Sequence, residues 1–235
     1  MSPFKLFANR EEAGRQLGRY LQRYRADRPI VVGLTRGGVP VAYEVARALD
    51  APLDVCVVRK ICAPFQPELG VGAVTEGGAL YLRHDTIEAL GIDEDDLLPL
   101  IAQKRAEVED RVRRFRRGSP PADVTDKTVI IVDDGIATGG TACAAVQSLR
   151  DRGASKVVLA VPVGAAENVA VLAEVADEMV CPYPEDHFYA VGLWYDDFGQ
   201  TSDDDVVELL ERMKTERSRA KTSPAGDGWA HRRSA

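Results

Sequence analysis

Short hydrophobic runs alternate along this chain with amphipathic segments. The runs are rich in valine and isoleucine, which is typical of strands that are buried on both faces of a parallel sheet. We predict strands at 29–34, 53–58, 129–132, 156–163 and 179–181. Between them, apolar residues recur three and four positions apart, which predicts helices at 9–25, 41–49, 93–117, 141–152 and 167–176. This alternation predicts an α/β fold, with an open, mostly parallel sheet and helices on both faces.

Two segments interrupt the alternation. Glycine and proline punctuate 61–82, which we interpret as a mobile loop with a small hairpin; with the charged helix that follows, it forms a predicted insertion at 61–117. An aromatic segment at 181–200 is expected to form a small C-terminal hood. Lys, Arg, Ser, Thr and Gly dominate the last residues, so we predict one domain at 1–212 and a disordered tail at 213–235.

Composition narrows the classes of protein that this chain can represent. Its 235 residues are 45% hydrophobic, which is enough for a self-sufficient core. The net charge of −7 argues against a nucleic-acid-binding protein, because such proteins usually carry a basic surface. No apolar run approaches the ~20 residues that cross a bilayer. The four cysteines form no C-x-x-C pair, and the N-terminus lacks the apolar run of a signal peptide. We therefore expect a cytoplasmic protein whose partners are neither nucleic acids nor membranes.

The strongest chemical signal follows the predicted strand 129–132. Asp133 and Asp134 stand at its carboxyl end, where open α/β sheets bind ligands. A turn of small residues then opens a helix, and its backbone N–H groups and hydroxyls suit an anion. This turn includes Gly135, Ala137, Thr138, Gly139, Gly140 and Thr141. Two acids beside an anion-binding turn fit a vicinal diol next to a phosphate, and a ribose 5-phosphate has both.

Four other interpretations of this segment are weaker. A P-loop needs a lysine that the turn lacks, and a dinucleotide-binding fingerprint places its glycines before the acid. A helix cap explains one acid, but not two acids followed by Thr-Gly-Gly-Thr. A sugar-phosphate hydrolase with Asp133 as its nucleophile needs an Asp-x-Asp arrangement, whereas adjacent residues at a strand end point to opposite sides.

The segment 129–141 resembles the signature of the type I phosphoribosyltransferases, which bind phosphoribosyl pyrophosphate (PRPP). Its ending, Ala-Thr-Gly-Gly-Thr, is closest to the adenine and orotate branches, and the likeness extends over residues 30–200. The resemblance implies that Asp133 and Asp134 hold the ribose 2′- and 3′-hydroxyls and that the turn after them wraps the 5′-phosphate. It also implies Mg²⁺ as the cofactor, held near the two acids through ribose hydroxyls or water.

A second loop, after the first predicted strand, occupies the place of the family's pyrophosphate loop. It comprises Thr35, Arg36, Gly37 and Gly38. The family often has a cis non-proline peptide bond there, so Thr35–Arg36 is the candidate bond. Arg59 and Lys60 resemble a basic pair that reaches pyrophosphate in adenine and orotate relatives; a solvated strand end is the alternative. With Mg²⁺, Arg36 and Lys60 would stabilise the charge on the leaving pyrophosphate.

The remaining site residues depend on looser likenesses. Glu76 resembles a loop glutamate of the adenine enzymes, and a carboxylate near the ribose C1 would stabilise positive charge there. Tyr189, Trp194 and Asp196 resemble the base-binding strand of the hypoxanthine–guanine branch, in which an aromatic ring stacks on the base. Packing within the hood is the alternative for these aromatic residues. The basic run 111–117 is either an anion patch or, as we favour, a solvated helix end.

The resemblance implies a transferase that binds Mg·PRPP and moves phosphoribose to a nitrogenous base with release of pyrophosphate. A homodimer is common in the family, and nothing in the sequence contradicts one. A non-catalytic protein of the same fold that senses PRPP is the alternative. Such regulators usually add a basic surface or a DNA-binding domain, so the net charge of −7 favours the enzyme. The accepted base is left open, because a Val-Pro-Val segment stands where the hypoxanthine–guanine branch has its base-reading lysine.

Overall fold

The computed structural model describes residues 5–222, apart from the side chains at 67, 68, 94, 221 and 222. The strands are β1 (Ile30–Leu34), β2 (Leu53–Cys56), β3 (Val58–Ala63), β4 (Gln66–Thr75), β5 (Leu80–Leu82), β6 (Thr128–Val132), β7 (Lys156–Ala160), β8 (Val163–Ala165), β9 (Glu178–Val180) and β10 (Tyr183–Glu185). The helices are α1 (Arg10–Tyr20), α2 (Gly38–Leu49), α3 (His84–Ala89), α4 (Glu94–Arg116), α5 (Gly140–Asp151), α6 (Ala166–Val175) and α7 (Asp203–Thr222). Within the described residues, no helix combines the length and the apolar character needed to span a membrane.

Five strands form the central sheet, in the order β2–β1–β6–β7–β9, and every neighbouring pair is parallel. Val32 of β1 lies opposite Ile131 of β6, which lies opposite Leu159 of β7. The chain passes from β1 outward to β2 and later returns to the other side of β1 with β6. The strand order therefore reverses between β1 and β6, and their carboxyl ends flank the crevice in which such sheets bind ligands. The predicted α/β fold is confirmed.

Helices cover both faces of this sheet, because successive strand residues point to opposite sides. Val129 and Ile131 pack in one core cluster, together with residues of α5 such as Leu149. Ile130 and Val132 pack in another, together with residues of α1 and α2. All four strand residues are fully buried. This explains the unbroken run of β-branched residues in β6, since each face of the strand needs apolar side chains.

The segment 61–82, predicted as a mobile loop with a small hairpin, instead forms much of a second sheet. Its strands β3, β4 and β5 pair antiparallel in that order. The glycines that suggested a loop lie where two backbones approach closely. A Cβ on Gly72 would lie 2.5 Å from the Tyr81 carbonyl oxygen, across the β4–β5 pair. Buried Val71 and Val74 of β4 contribute to a third core cluster, which includes residues of α4 and α7.

The C-terminal boundary also differs from the prediction of a disordered tail at 213–235. The helix α7 continues past the predicted boundary, and Met213 is buried in the core cluster of α1 and α2. The Tyr43 hydroxyl of α2 donates to Glu216 Oε1 over 2.8 Å. The first part of this segment is therefore folded onto the domain, and the rest, 223–235, lies outside the described residues.

The hood segment 181–200 packs on the N-terminal residues. Phe7 and Tyr195 form a parallel bridge, and the Asp196 backbone N–H donates to the Phe7 carbonyl oxygen over 2.8 Å. Phe7, Trp194 and Tyr195 are buried together in a small cluster of their own. This pairing fixes the start of α1 against the hood, which proves important for the site.

Candidate functional site

Two aspartates lie where β6 ends, at the crevice between β6 and β1. Asp133 and Asp134 are half-buried, and the Asp134 backbone N–H donates to Asp133 Oδ1 over 2.9 Å. Arg10 Nε donates to Asp134 Oδ2 over 2.8 Å. The Tyr195 hydroxyl of the hood donates to the Asp134 carbonyl oxygen over 2.6 Å. The structure thus holds both acids at the edge of the sheet where ligands bind.

The loop after β1 lies directly beside these acids. Its Thr35–Arg36 peptide bond is cis, as the resemblance implies. Gly37 and Gly38 let the loop touch the end of β6. A Cβ on Gly37 would overlap Asp134 Oδ2, and one on Gly38 would lie 2.8 Å from the Asp133 Cα. A side chain at either position would therefore displace the loop or the acids.

A cleft of about 500 Å³ opens between this loop, the acids and the hood. Five of its lining residues were predicted to be in the site: Thr35, Arg36, Gly37, Asp133 and Asp134. The other five were not predicted: Arg10, Val191, Phe198, Gln200 and Thr201. The cleft therefore combines charged groups from the sheet edge with apolar and amide groups from the hood. Its volume is in the range of pockets that hold small ligands and cofactors.

Burial changes the acid–base behaviour of the two acids. It raises the pKa of Asp133 well above its ordinary range, and the negative charge of Asp134 adds to this shift. Burial also raises the pKa of Asp134, although the Arg10 guanidinium opposes that shift. Two neighbouring carboxylates resist being ionised together. The site therefore favours a ligand that brings hydrogen-bond donors or positive charge to the acids.

The turn after the acids has the geometry of an anion site. Gly139 adopts a φ of +75°, and α5 begins at Gly140. The first N–H groups of a helix have no acceptor within the helix, and the helix dipole makes that end positive. Asn168 Nδ2 donates to the Ala137 carbonyl oxygen over 2.6 Å, which ties down the other side of the turn. A Cβ on Gly140 would meet open space, so the start of α5 is accessible to an anion.

Arg10 is a site residue that sequence reasoning missed. Asn9 caps α1, and Arg10 is the first residue of that helix. Its guanidinium donates to Asp134 and, over 2.7 Å, to the Gly199 carbonyl oxygen. Its Cζ lies 3.8 Å from the centroid of the Phe198 ring, within the range of a cation–π interaction. No local pattern identifies Arg10, because its partners lie far away along the chain.

Arg59 and Lys60 lie in β3 of the second sheet rather than at the end of a central strand. Arg59 Nε donates to Glu107 Oε2 of α4 over 3.1 Å, and the Lys60 side chain is exposed. Neither residue is among those that line the cleft, whereas Arg36 is. Arg36 Nη1 donates to Asp203 Oδ1 of α7 over 3.1 Å. The structure thus brings only Arg36 of these three to the cleft itself.

The predicted base-binding residues do not converge on the cleft. Tyr189 is 81% exposed, and Trp194 is buried with its ring stacked on Phe188. Asp196 is exposed and forms an ion pair with Lys5 at 2.7 Å. For Trp194 the alternative interpretation, packing within the hood, is what the structure shows. We therefore correct the assignment of Trp194 to the base, whereas the assignments of Tyr189 and Asp196 stay predictions.

Glu76 also lies away from the cleft, in a buried ion-pair network. It is 7% exposed, and its two carboxylate oxygens accept hydrogen bonds from Arg116 Nη2 over 2.7 and 3.0 Å. Arg116 also donates to Asp54 Oδ1 over 2.6 Å, and Arg152 Nη1 donates to Glu76 over 3.4 Å. Burial raises the pKa of Glu76, while the Arg116 charge opposes the shift. The predicted catalytic role is therefore corrected: Glu76 joins α4 and the end of α5 to the sheets.

The acids at the cleft suit a magnesium ion that is bound mainly by its substrate. Within residues 5–222, no described group of three or more Asp, Glu, His or Cys side chains is arranged to hold a metal. Asp133 and Asp134 offer oxygen ligands from two adjacent carboxylates. Mg²⁺ prefers oxygen ligands and is commonly held by one or two carboxylates together with substrate phosphates. This donor set fits the metal that the resemblance implies.

A parallel sheet with an acid pair and a glycine-rich turn at its switch point places the chain in the class of open α/β proteins that bind ligands at this crevice. The family model of the phosphoribosyl transferase domain matches residues 7–196. The chain belongs to this family of transferases. The matched residues include the loop after β1, the acids, the turn and most of the hood.

Individual relatives agree with the family. The protein named "Putative phosphoribosyl transferase Rv0571c", from Mycobacterium tuberculosis, is 49% identical over 208 residues, which are 88% of this chain and 47% of that protein. The chain thus spans about half the length of this curated relative. A uracil phosphoribosyltransferase of Acholeplasma laidlawii is 27% identical over 137 residues, 56% of this chain and 62% of that enzyme. The crystal structure of TT1426 from Thermus thermophilus has a TM-score of 0.76 at 40% identity and covers 88% of this chain and 98% of its own.

Proposed function

We propose that the chain transfers the 5-phosphoribosyl group of PRPP to a nitrogenous base and releases pyrophosphate. The observation that carries this proposal is the meeting of Asp133 and Asp134 with the loop Thr35–Gly38 where the strand order reverses. The turn that follows the acids adds an anion site at the start of α5. A diol, a phosphate and a pyrophosphate thus each find suitable groups, and PRPP carries all three.

Each part of PRPP has a complementary partner in this arrangement. The ribose 2′- and 3′-hydroxyls donate to the carboxylates of Asp133 and Asp134, and the 5′-phosphate accepts from N–H groups of the turn 137–141. The pyrophosphate lies along the loop after β1, next to Arg36. Hydroxyl donors and a cation at the acids favour their ionised forms, which offsets the raised pKa of each acid. Bound PRPP therefore favours the negative charge on the two acids, which burial disfavours.

Magnesium completes the donor site in this proposal. It would be held near Asp133 and Asp134, through ribose hydroxyls or water. When bound, Mg²⁺ neutralises part of the negative charge of the leaving pyrophosphate. The chain's own acids serve to orient the diol and to provide negative charge beside the ribose.

The reaction places opposite charges at the two ends of the breaking bond. The bond between ribose C1 and the pyrophosphate oxygen breaks, and its electron pair leaves with pyrophosphate. A ring nitrogen of the base supplies the pair for the new bond to C1, and the proton that this nitrogen carried is released to solvent. Positive charge develops at C1 near the carboxylates of Asp133 and Asp134, and negative charge develops on the leaving group beside Arg36. Charges that are fixed in place before the reaction stabilise such a transition state without reorganisation.

The base enters this cleft from the hood side. Val191 and Phe198 provide apolar surface there, and Gln200 provides an amide that both donates and accepts hydrogen bonds. A Cβ on Gly135 would lie 2.6 Å from Val191 Cγ1, so this wall is packed tightly on the turn. Such a lining suits a planar heterocycle. Several relatives are named uracil phosphoribosyltransferase, which makes uracil the first base to test.

Calorimetric titration of PRPP with Mg²⁺ tests the binding part of the proposal. The double variant Asp133→Asn/Asp134→Asn removes both charges and preserves side-chain size. We expect its PRPP affinity to be about 100-fold lower than that of the wild type, because two charged acceptors of the diol are lost. The control is Asp95→Asn/Asp96→Asn, an adjacent pair of exposed acids at the start of α4, which should bind as the wild type does. Absence of PRPP binding by the wild type, or equal binding by all three proteins, contradicts the proposal.

Two wider expectations follow from the family rather than from the site. We propose that the protein acts in the cytoplasm and as a homodimer. Light scattering of the purified chain tests the second expectation, and a monomer at all concentrations contradicts it.

A further inference from the structure

Three arginine side chains share one carboxylate beside the cleft, and the charge of a fourth, paired with Glu107 of α4, acts on one of them. This arginine cluster consists of Arg36 in the loop after β1, Arg59 of β3, and Arg111 and Arg114 of α4. Arg36 Nη1 and Arg114 Nη1 lie 3.1 and 3.0 Å from the carboxylate of Asp203, the first residue of α7. Arg111 Nε lies 4.0 Å from the same carboxylate. Only the fold assembles this cluster, because its members come from separate parts of the chain.

Arg111 is poorly compensated in the cluster. Its Nε atom is buried and has no hydrogen-bond partner among the residues that the structure describes. Burial lowers the pKa of Arg111, and the charges of Arg59 and Arg36 lower it further, against the opposing effect of Asp203. A guanidinium carries five N–H donors in a rigid fork that matches oxyanions. An unused donor among like charges is therefore arranged for an anion with several charged oxygens.

The balance of charge around the cluster favours the same ligand. The four arginines and Lys104 face the carboxylates of Asp203, Asp204 and Glu107. Asp203 alone is shared by three of the arginines. One carboxylate offers two oxygens, whereas pyrophosphate offers many and can take paired hydrogen bonds from several guanidiniums. The cluster also adjoins the proposed donor site, because Arg36 lines the cleft.

We propose that Arg111 binds the pyrophosphate of the phosphoribosyl donor together with Arg36 and Arg59, and that the Asp203 carboxylate is the counter-ion that pyrophosphate displaces. This role rests on the proposed function and adds to it a binding residue and an internal competitor. The basic end of α4 is then an anion patch rather than the solvated helix end favoured from the sequence. Because Asp203 begins α7, the helix that completes the domain competes with the donor for the same arginines.

Calorimetry of the intact chain with magnesium pyrophosphate tests this proposal. Arg111→Gln removes the charge, and we expect about ten-fold weaker binding. Arg113→Gln is the matched control, since Arg113 lies on the same helix with an exposed side chain, and it should change the affinity less than about two-fold. Asp203→Asn removes the competitor and should bind about five-fold more tightly. Its neighbour Asp204 is exposed, so Asp204→Asn should change the affinity less than about two-fold.

Two results would overturn the proposal: Arg111→Gln binds magnesium pyrophosphate as Arg113→Gln does, or Asp203→Asn binds it no more tightly than the wild type. A merely structural role for Asp203 predicts weaker binding in Asp203→Asn, so the direction of the change decides. Arg111→Gln and Asp203→Asn are separate variants with opposite expected effects, so a folding defect in one leaves the other as the test.

Ribose 5-phosphate separates this proposal from the proposed function. It has the diol and the 5′-phosphate but no pyrophosphate, so its binding reports on the acids and the turn alone. We expect the wild type and all four variants to bind it equally. If the wild type does not bind ribose 5-phosphate, the proposed function is contradicted. If it does, and the four variants do not differ in pyrophosphate affinity, only the role of Arg111 and Asp203 is contradicted.

Discussion

At the scale of single residues, Asp133, Asp134 and Arg10 form one electrostatic unit. Burial raises the pKa of both acids, and Arg10 opposes the rise for Asp134. The acids were predictable because they are contiguous and follow an obvious strand. Arg10 was not, because it is separated from Asp134 by 124 positions and begins a helix of ordinary amphipathic pattern. Its place depends on the pairing of the N-terminus with the hood, which no local pattern encodes.

Arg10→Gln should shift the pH dependence of catalysis toward higher pH. PRPP is proposed to bind to the ionised acids, so kcat/KM for PRPP should fall as the pH drops through the raised pKa values of these acids. Without the Arg10 charge the pKa of Asp134 rises further, and the fall should begin at higher pH. Profiles of kcat/KM against pH measure this, with Arg19→Gln on the exposed side of α1 as the control. If kcat/KM falls at the same pH in Arg10→Gln and in the wild type, Arg10 does not tune the pKa of Asp134.

Asp133→Asn should stabilise the free protein at neutral pH. Folding raises the pKa of Asp133, so the stability that protonation provides is lost as the pH rises from the ordinary carboxyl range through the raised pKa. Asparagine has no charge to bury, and its Oδ1 can still accept from the Asp134 N–H. We expect the free energy of unfolding to rise at neutral pH and to stay unchanged below the ordinary carboxyl pKa. Denaturant unfolding measures the free energy of unfolding at both pH values. A variant that is less stable than the wild type at neutral pH would contradict the claim that burying this charge destabilises the protein.

At the scale of elements, the second sheet shows why glycine content alone misleads. Gly72 in β4 permits the close approach of β5, whereas Gly139 permits the left-handed turn before α5. The residue type is the same in both places, and only the neighbouring strand distinguishes them. Glu76 likewise lies in a glycine-rich stretch that resembles a loop, yet its carboxylate is buried against Arg116 of α4. The strand pairing at Gly72 and the burial of Glu76 both depend on contacts between distant segments. Local sequence patterns therefore did not predict the structure of this region.

Arg116→Met should destabilise the domain through this buried network. The Arg116 side chain is 7% exposed and forms ion pairs with Glu76 and Asp54. Its removal leaves two buried acids without their main counter-charge, and breaking such a pair costs about 3–5 kcal/mol. Arg113→Met changes an exposed side chain of the same helix and should alter the free energy of unfolding by less than about 0.5 kcal/mol. Urea unfolding compares the two variants, and equal losses would show that the network is not what stabilises α4.

At the scale of the whole molecule, segments near both ends of the described chain contact residues that line the cleft. The N-terminus pairs with the hood and so positions Arg10, and α7 begins with Asp203 at the arginine cluster. The alternation of hydrophobic and amphipathic segments was enough to predict the central sheet and the edge that holds the acids. It did not predict these two contributions, because they depend on contacts between distant segments. The boundary at 212 was misplaced because the charged composition after it concealed a buried apolar position of α7, Met213.

A chain that ends at Arg212 should be less stable than one that ends at Thr222. It lacks Met213, which is 4% exposed, and the hydrogen bond between Tyr43 and Glu216. Loss of a buried methionine side chain costs about 2–5 kcal/mol, which corresponds to a melting temperature lower by about 4 °C or more in a domain of this size. Differential scanning calorimetry of the two truncated chains measures the difference. Equal melting temperatures would mean that the end of α7 contributes nothing to the folded domain.

Release of pyrophosphate from PRPP, measured with and without a base, tests the proposed transferase activity most directly. With Mg²⁺ and a panel of purines and pyrimidines that begins with uracil, we predict pyrophosphate release only when an accepted base is present. An equal amount of phosphoribosylated base should appear, Asp133→Asn/Asp134→Asn should release none, and Asp95→Asn/Asp96→Asn should match the wild type. Tight binding of PRPP without turnover on any base would contradict the transferase and identify the chain as a protein that senses PRPP.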